Sequence, residues 1–201
     1  TAYAPPRIDS ISVQNKSALS TEDGHGVIGL DTAGREWLEF TGENLGHSID
    51  YFQMIEYGCD VPDGASGTYR LTAVKDGGSC EMLVPHKKIR CQSLEGVGRG
   101  LRVMVRVGGQ HTLDDEIARG PTISYAAPVL RLFRRRDCDP DEEEESPGCA
   151  SGYGGTTKGF YQMEIVGSHF GPLGKYVVSF DGEEYTAFSA TGRTLGERRG
   201  D

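Results

Sequence analysis

Apolar and polar residues alternate over short stretches separated by glycine-rich breaks, and no segment keeps a helical period over a useful length. Leu101-Arg102-Val103-Met104-Val105-Arg106-Val107 sets the pattern. Its apolar and mostly polar positions alternate as on a strand with one buried face, and the run stops at the turn signal Gly108-Gly109. Shorter stretches of the same kind predict strands over 51–57, 69–74, 88–91 and 122–125. Further along, strands are predicted over 129–133, 160–166, 176–180 and 185–188. Pro62-Asp63-Gly64 and Asp76-Gly77-Gly78 punctuate the first set as turns. The predicted fold class is all-β.

The pattern also repeats. Tyr3-Ala4-Pro5-Pro6-Arg7-Ile8 is matched by Tyr125-Ala126-Ala127-Pro128-Val129-Leu130. Leu38-Glu39-Phe40-Thr41-Gly42-Glu43-Asn44-Leu45-Gly46 is matched by Met163-Glu164-Ile165-Val166-Gly167-Ser168-His169-Phe170-Gly171, and Ile55-Glu56-Tyr57-Gly58 by Ser179-Phe180-Asp181-Gly182. Three matches in one order at nearly one offset define an internal repeat. The first copy, 1–126, reads as a complete sandwich, and the second, 127–201, as the front half only. After Phe188 the chain turns polar without alternation, and nothing corresponds to the hairpin at Cys80 and Cys91 or to the strand from Leu101. Half a sandwich exposes strand edges, so its remaining strands are expected from residues outside this sequence or from another chain.

Composition narrows the class. A chain of 201 residues accommodates two sandwich domains of about 100 residues each. Twenty-nine glycines with only 36% hydrophobic residues fit many short strands and tight turns. A net charge of -9 and a pI near 5.1 argue against nucleic acid as a partner, since phosphate would repel the chain. The one basic cluster, Arg134-Arg135-Arg136, is followed at once by Asp137, Asp139, Asp141 and Glu142-Glu143-Glu144-Glu145. No stretch approaches the roughly 20 apolar residues that span a bilayer, so no direct membrane insertion is expected of this segment. With no initiator Met and no signal-peptide pattern, the sequence reads as a mature chain or an internal segment of something larger.

Five cysteines, at 59, 80, 91, 138 and 149, include no Cys-x-x-Cys pair and none at zinc spacing from a histidine. The gaps from Cys80 to Cys91 and from Cys138 to Cys149 look like two locally closed loops. Asn15-Lys16-Ser17 is an N-glycosylation sequon. These features place the protein on the secretory route, extracellular or at the cell surface.

The ordered set of short elements resembles the IPT/TIG domain, the immunoglobulin-like module of plexins and many surface proteins. The first copy carries Tyr3, Pro6, Gly42, Asn44, Gly46, Tyr57-Gly58, Cys80, Ile89, Cys91, Gly98, Gly100, Val105, Val107-Gly108-Gly109-Gln110, Tyr125 and Pro128. The second carries the front of the pattern, to about Gly182. The resemblance implies a tandem array of immunoglobulin-like sandwiches in which Cys80 pairs with Cys91. It also implies that the closing strand 122–125 runs straight into the next module at Pro128, with 2–8 as a similar join from a preceding one. Modules joined without a linker stack as a semi-rigid rod. The second copy departs from the pattern at 137–149, read as a surface loop stapled by Cys138 and Cys149. Cys59 is left over, free or paired with another copy or chain.

The remaining constellations carry little chemistry. The acidic run 137–145 has carboxylates for Ca²⁺ but not the spaced order of an EF-hand, and is expected to be a solvated loop. Gly152-Tyr153-Gly154-Gly155-Thr156-Thr157-Lys158-Gly159 lacks the phosphate-loop order. His25, His47, His86, His111 and His169 are scattered without a nucleophile or metal spacing. Trp37, Phe40, Tyr51 and Phe52 read as core or strand-face aromatics rather than a sugar platform, and the terminal Arg199-Gly200-Asp201 is a frequent kind of three-residue match. No enzyme activity, metal or cofactor is expected. The expected function is that of a structural or adhesive module, a repeated subunit of an extracellular filament or appendage whose partners are further copies or neighbouring modules, with glycans a second class. The alternatives are a receptor ectodomain segment binding a protein ligand, or a carbohydrate-binding accessory module of a glycan-active enzyme. The DNA-binding use of the same fold is disfavoured by the acidic charge and the cysteines.

Overall fold

In a computed structural model of the chain, Leu101, Val103, Val105 and Val107 are buried while Arg102 is exposed and Arg106 half-buried, so the alternation of that strand is expressed as an inner and an outer face. The structure describes residues 3–14, 19–20, 25–59, 68–135, 163–172, 178–180, 183–187 and 196–198. The chain divides into two compact units, Thr1–Ala126 and Ala127–Asp201. No described helix is long and apolar enough to cross a membrane.

The first unit runs β1 (Arg7–Val13), β2 (Leu19–Ser20), β3 (Val27–Leu30), β4 (Trp37–Glu43), β5 (Phe52–Gly58) and β6 (Tyr69–Thr72). A 3-10 turn at Val74–Asp76 leads to β7 (Glu81–Val84), β8 (Lys88–Gln92), β9 (Leu101–Val107), β10 (Gln110–His111), α1 (Asp114–Arg119) and β11 (Thr122–Tyr125). Two sheets form, one of order β1-β4-β8-β7 and one of order β2-β3-β11-β9-β5-β6, with β10 also paired to β9. All the pairings are antiparallel except that of β11 with β3. A single apolar cluster draws Ile8, Ile11, Leu38, Phe40 and Ile89 from the first sheet and Val27, Leu30, Ile55, Leu71, Val105 and Ile123 from the second. The unit is therefore a β-sandwich with one core.

The expected strands fall where the alternation put them, with ends displaced by a few residues. The segment 69–74 is cut short because Val74 enters the 3-10 turn, which Gly77 closes at a φ of 80°. The strands β1, β2, β3, β4, β7 and β10 and the helix α1 add to that set. Ile117 of α1 turns back onto Met104, which points away from the core, and the two form a small separate apolar cluster. Ahead of α1, the Thr112 amide and hydroxyl continue the ladder to Val105, so the pairing of β10 with β9 extends up to the helix.

The second unit contains β12 (Val129–Arg135) paired with β13 (Met163–Ser168), and a three-stranded sheet of β14 (Val178–Phe180), β15 (Glu183–Ala187) and β16 (Gly196–Arg198). β16 lies in the stretch expected to lack strand. Its pairing of Tyr185 with Arg198 shows that backbone hydrogen bonding to a neighbour can hold a polar segment without alternation.

The repeat in sequence is a repeat in geometry. β1 meets β4 with Ile8 opposite Gly42, then a bulge at Asp9 puts Ser10 opposite Thr41. β12 meets β13 with Leu130 opposite Gly167, then a bulge at Arg131 puts Leu132 opposite Val166. The glycine is required in both places: a Cβ on Gly42 would run into the carbonyl oxygen of Arg7, and one on Gly167 into that of Val129. Two residues on, Asn44 and His169 both adopt the left-handed region at φ 58° and 61°, followed by Gly46 at 91° and Gly171 at 81°. The environment differs, since Ile8 is 5% exposed and its counterpart Leu130 68%. We predict that Gly42→Ala destabilises the first unit by about 1–3 kcal/mol through forced backbone separation, measured by denaturant unfolding. An unchanged midpoint would show that β1 shifts off β4 at no cost.

Candidate functional site

Two buried features hold one region of the sandwich, and the outer face of the larger sheet carries its main concentration of arginine.

Cys80 and Cys91 are both fully buried and form a disulfide, with α-carbons 4.1 Å apart. Glu81 pairs with Arg90 in the β7–β8 ladder, which sets the two cysteines opposite one another on neighbouring strands. Cys80 also donates its amide to the Thr72 carbonyl and bridges Ala73, at the end of β6. One residue thus belongs to the backbone network of the larger sheet while its sulfur is bonded to a strand of the smaller one.

Nearby, three tyrosines secure the connection between β8 and β9. The Tyr57 and Tyr125 hydroxyls share a hydrogen bond of 2.9 Å, Tyr125 donates to the Leu94 carbonyl at 2.9 Å, and the Leu94 amide donates to Tyr57 at 3.5 Å. Tyr69 donates to the Val97 carbonyl and accepts from the Val97 amide, each at 2.9 Å, and stacks on Tyr57 with centroids 4.9 Å apart. Every one of these hydroxyls is satisfied, as burial requires. Burial pushes both the Tyr57 and the Tyr125 phenols up from their ordinary range, Tyr125 further through its contact with Tyr57. The apolar and polar pattern does not mark this cluster: Tyr57 and Tyr125 fall in short repeat motifs and Tyr69 in a strand of its own. Only the fold brings the three tyrosines together around Gly96, where a Cβ would meet the Tyr69 ring and the Tyr125 hydroxyl.

On the outer face, Glu56 of β5 is buried to 5% side-chain exposure and accepts a 2.5 Å charge-assisted bond from Arg70 of β6, itself 61% exposed. Glu56 lies opposite Met104, flanked in register by Arg102 opposite Gly58 and Arg106 opposite Met54. A separate cleft of about 260 Å³ is lined by Arg7, Asp9, His25, Glu116, Arg119 and Pro121 among others. Arg7 and Asp9 pair at 2.7 Å, and Arg119 pairs with Asp115 at 2.5 Å, so both guanidinium groups bordering the cleft are engaged.

Of the expected site residues, Cys59 is exposed with a free thiol just past β5. Asn15, Cys138, Cys149, the acidic run 137–145, the glycine-rich 152–159 and Arg199-Gly200-Asp201 lie outside the described residues. Phe40 and Phe52 are core residues; Trp37 lies under the Arg90 guanidinium, 4.8 Å from its ring centre. Tyr51 is half-exposed and packs against His47 with the rings tilted and their centres 4.7 Å apart, and His86 lies 6.4 Å from His47. Among the described residues no group of three or more His, Cys, Asp or Glu could hold a metal ion. No family model, curated protein or solved structure matches the chain.

Two measurements probe this region. Replacing Cys80 and Cys91 together by alanine is predicted to cost about 3 kcal/mol, the chain-entropy value for a loop of this size, read from denaturant unfolding; a change within error would mean that the core alone fixes the two strands. The raised phenols favour the folded state only while the unfolded phenols remain protonated. Stability is therefore expected to hold from neutral pH to about 9 and to fall above about pH 10, where the unfolded chain loses protons that the folded chain keeps. Thermal melting against pH tests this, and Tyr125→Phe should flatten the alkaline fall.

Proposed function

We propose that this chain is a non-enzymatic structural or adhesive module of a larger secreted or cell-surface protein, built of tandem immunoglobulin-like sandwiches of the IPT/TIG type. The observation that carries the reading is the fully buried Cys80–Cys91 disulfide tying strands of a two-sheet sandwich. A disulfide of this kind persists in oxidising compartments and is rare in the cytosol. It serves a domain that must keep its shape outside the cell.

The strand order supports the immunoglobulin-like part. With β1, β4, β5, β7, β8, β9 and β11 taken as strands A, B, C, D, E, F and G, the smaller sheet reads A-B-E-D. The larger reads G-F-C, extended by β6 beyond C and by β3 beside G. This order supports the reading, because it matches that of the two sheets of an immunoglobulin sandwich with a variable-type extra strand. The repeated bulge, glycine and left-handed residue in β12–β13 support a second module of the same design. The tyrosine hydroxyls are consumed in holding backbone, which suits a scaffold rather than a reaction centre.

The experiment is a peptide mass map of the native protein with and without reduction. The expected result is a Cys80–Cys91 link, a Cys138–Cys149 link and a glycan on Asn15. Five free thiols with an unmodified Asn15 would defeat the extracellular reading.

A further inference from the structure

The outer face of the larger sheet carries charge without a described partner. Alternation on β9 sends Leu101, Val103, Val105 and Val107 into the core, so Arg102, Met104 and Arg106 occupy the opposite face. Arg70 stands directly across from Glu56, while Arg102 and Arg106 are its diagonal neighbours, about 7–8 Å away by sheet geometry. Glu56 is spent on Arg70. Among the described residues, neither Arg102 nor Arg106 enters an ion pair or side-chain hydrogen bond. Ile117 of α1 covers Met104, but Arg102 remains exposed. Of the acidic residues Asp114, Asp115 and Glu116 at the start of that helix, Asp115 is paired with Arg119, and none pairs with Arg102 or Arg106. Two cations are thus left unmatched on a protein whose net charge is -9.

The complementary charge is on the same polypeptide. Asp137, Asp139, Asp141 and Glu142-Glu143-Glu144-Glu145 place seven carboxylates within nine residues, and the preceding Arg134-Arg135-Arg136 offsets three, leaving a surplus of four. We propose that the arginine face of β5, β6 and β9 docks the acidic run 137–145 of a second copy of this chain. The assignment rests on the reading that copies of this chain assemble, and it deepens that reading by naming the contact. Guanidinium groups form forked, charge-assisted bonds with carboxylates. An acidic run meeting Arg102 and Arg106, beside the Arg70–Glu56 pair, gains both attraction and register. The arginine face and the acidic run are different segments of the chain, so the contact is heterologous, head-to-tail. Head-to-tail contacts propagate into open chains unless the rotation closes a ring.

Sedimentation velocity of the full chain tests this across a concentration series at low and high salt. The expected result is self-association that grows with concentration and weakens with salt, because exposed charges are screened beyond about 10 Å at 0.1 M. Arg102→Glu with Arg106→Glu should weaken it at least about tenfold, as should reversal of Glu142 to Glu145 to lysine. Combining the two reversals should restore it. Arg102→Gln with Arg106→Gln gives the same reading if the reversed pair fails to fold, with circular dichroism as the control. Undiminished association in either arginine variant overturns the proposal. So does a chain that stays monomeric at low salt; if the cysteine links and the glycan are nonetheless present, this docking fails and the module reading stands. Retention on a sulfated polysaccharide, lost in the arginine variants and without self-association, would assign the face to anionic glycans and likewise overturn the copy-to-copy contact.

Discussion

The structure of the first unit depends on two sheets burying their inner faces against each other. Neither sheet is stable alone: a sheet with one apolar face has to cover it, and four short strands have little else to offer. Phe40, Leu38 and Ile89 from one side and Ile55, Val105 and Ile123 from the other reach zero exposure only in each other's presence. The remaining features of the unit bring those faces together or keep them so. Gly42 lets β1 approach β4 closely enough for Ile8 and Ile11 to enter the core, and the bulge at Asp9 brings the strand back into register after that approach.

A sandwich is vulnerable where its strands turn, because backbone groups there leave the ladder and must be satisfied while partly buried. Here the connection between β8 and β9 is held by side chains from three strands. Tyr57, Tyr69 and Tyr125 come from β5, β6 and β11 and together engage both backbone groups of Leu94 and of Val97. The disulfide acts on the neighbouring segment, with Cys80 in the ladder of one sheet and bonded to a strand of the other. The tyrosines fix a loop by hydrogen bonds that report on pH, and the disulfide fixes it by a bond that reports on redox environment. The two anchors should therefore fail under different conditions.

How much was legible in the sequence follows from which forces leave a periodic trace. The strand from Leu101 to Val107 was readable to the residue because one face is core and the other is not. The repeat was readable because a backbone collision admits only glycine at 42 and 167, and a left-handed turn favours asparagine or a comparable residue at 44 and 169. Strands held chiefly by backbone pairing were not: β3, with Ile28 and Gly29 interrupting its alternation, joins the sheet through a parallel ladder to β11 that no local pattern announces. The helix α1 is six residues long, too short to show a period, and its purpose is visible only once Met104 is known to face outward. The tyrosine cluster was equally hidden, since its members lie far apart in sequence and only the fold brings them together.

The two faces of the larger sheet divide the labour of the unit. The inner one is uniform, apolar and closed by the other sheet, and its chemistry is complete once the core has formed. The outer one places Glu56 almost out of solvent, which would be costly for an unpaired carboxylate and is tolerated because Arg70 reaches it. That pair lowers the cost of one charge, while Arg102 and Arg106 enter no ion pair or side-chain hydrogen bond among the described residues. Stability asks for no guanidinium at either position, where threonine or valine would suit a strand at least as well. Unpaired guanidinium groups on a strand hydrogen-bonded on both sides, opposite in sign to the chain as a whole, are charges that a partner outside the molecule would meet.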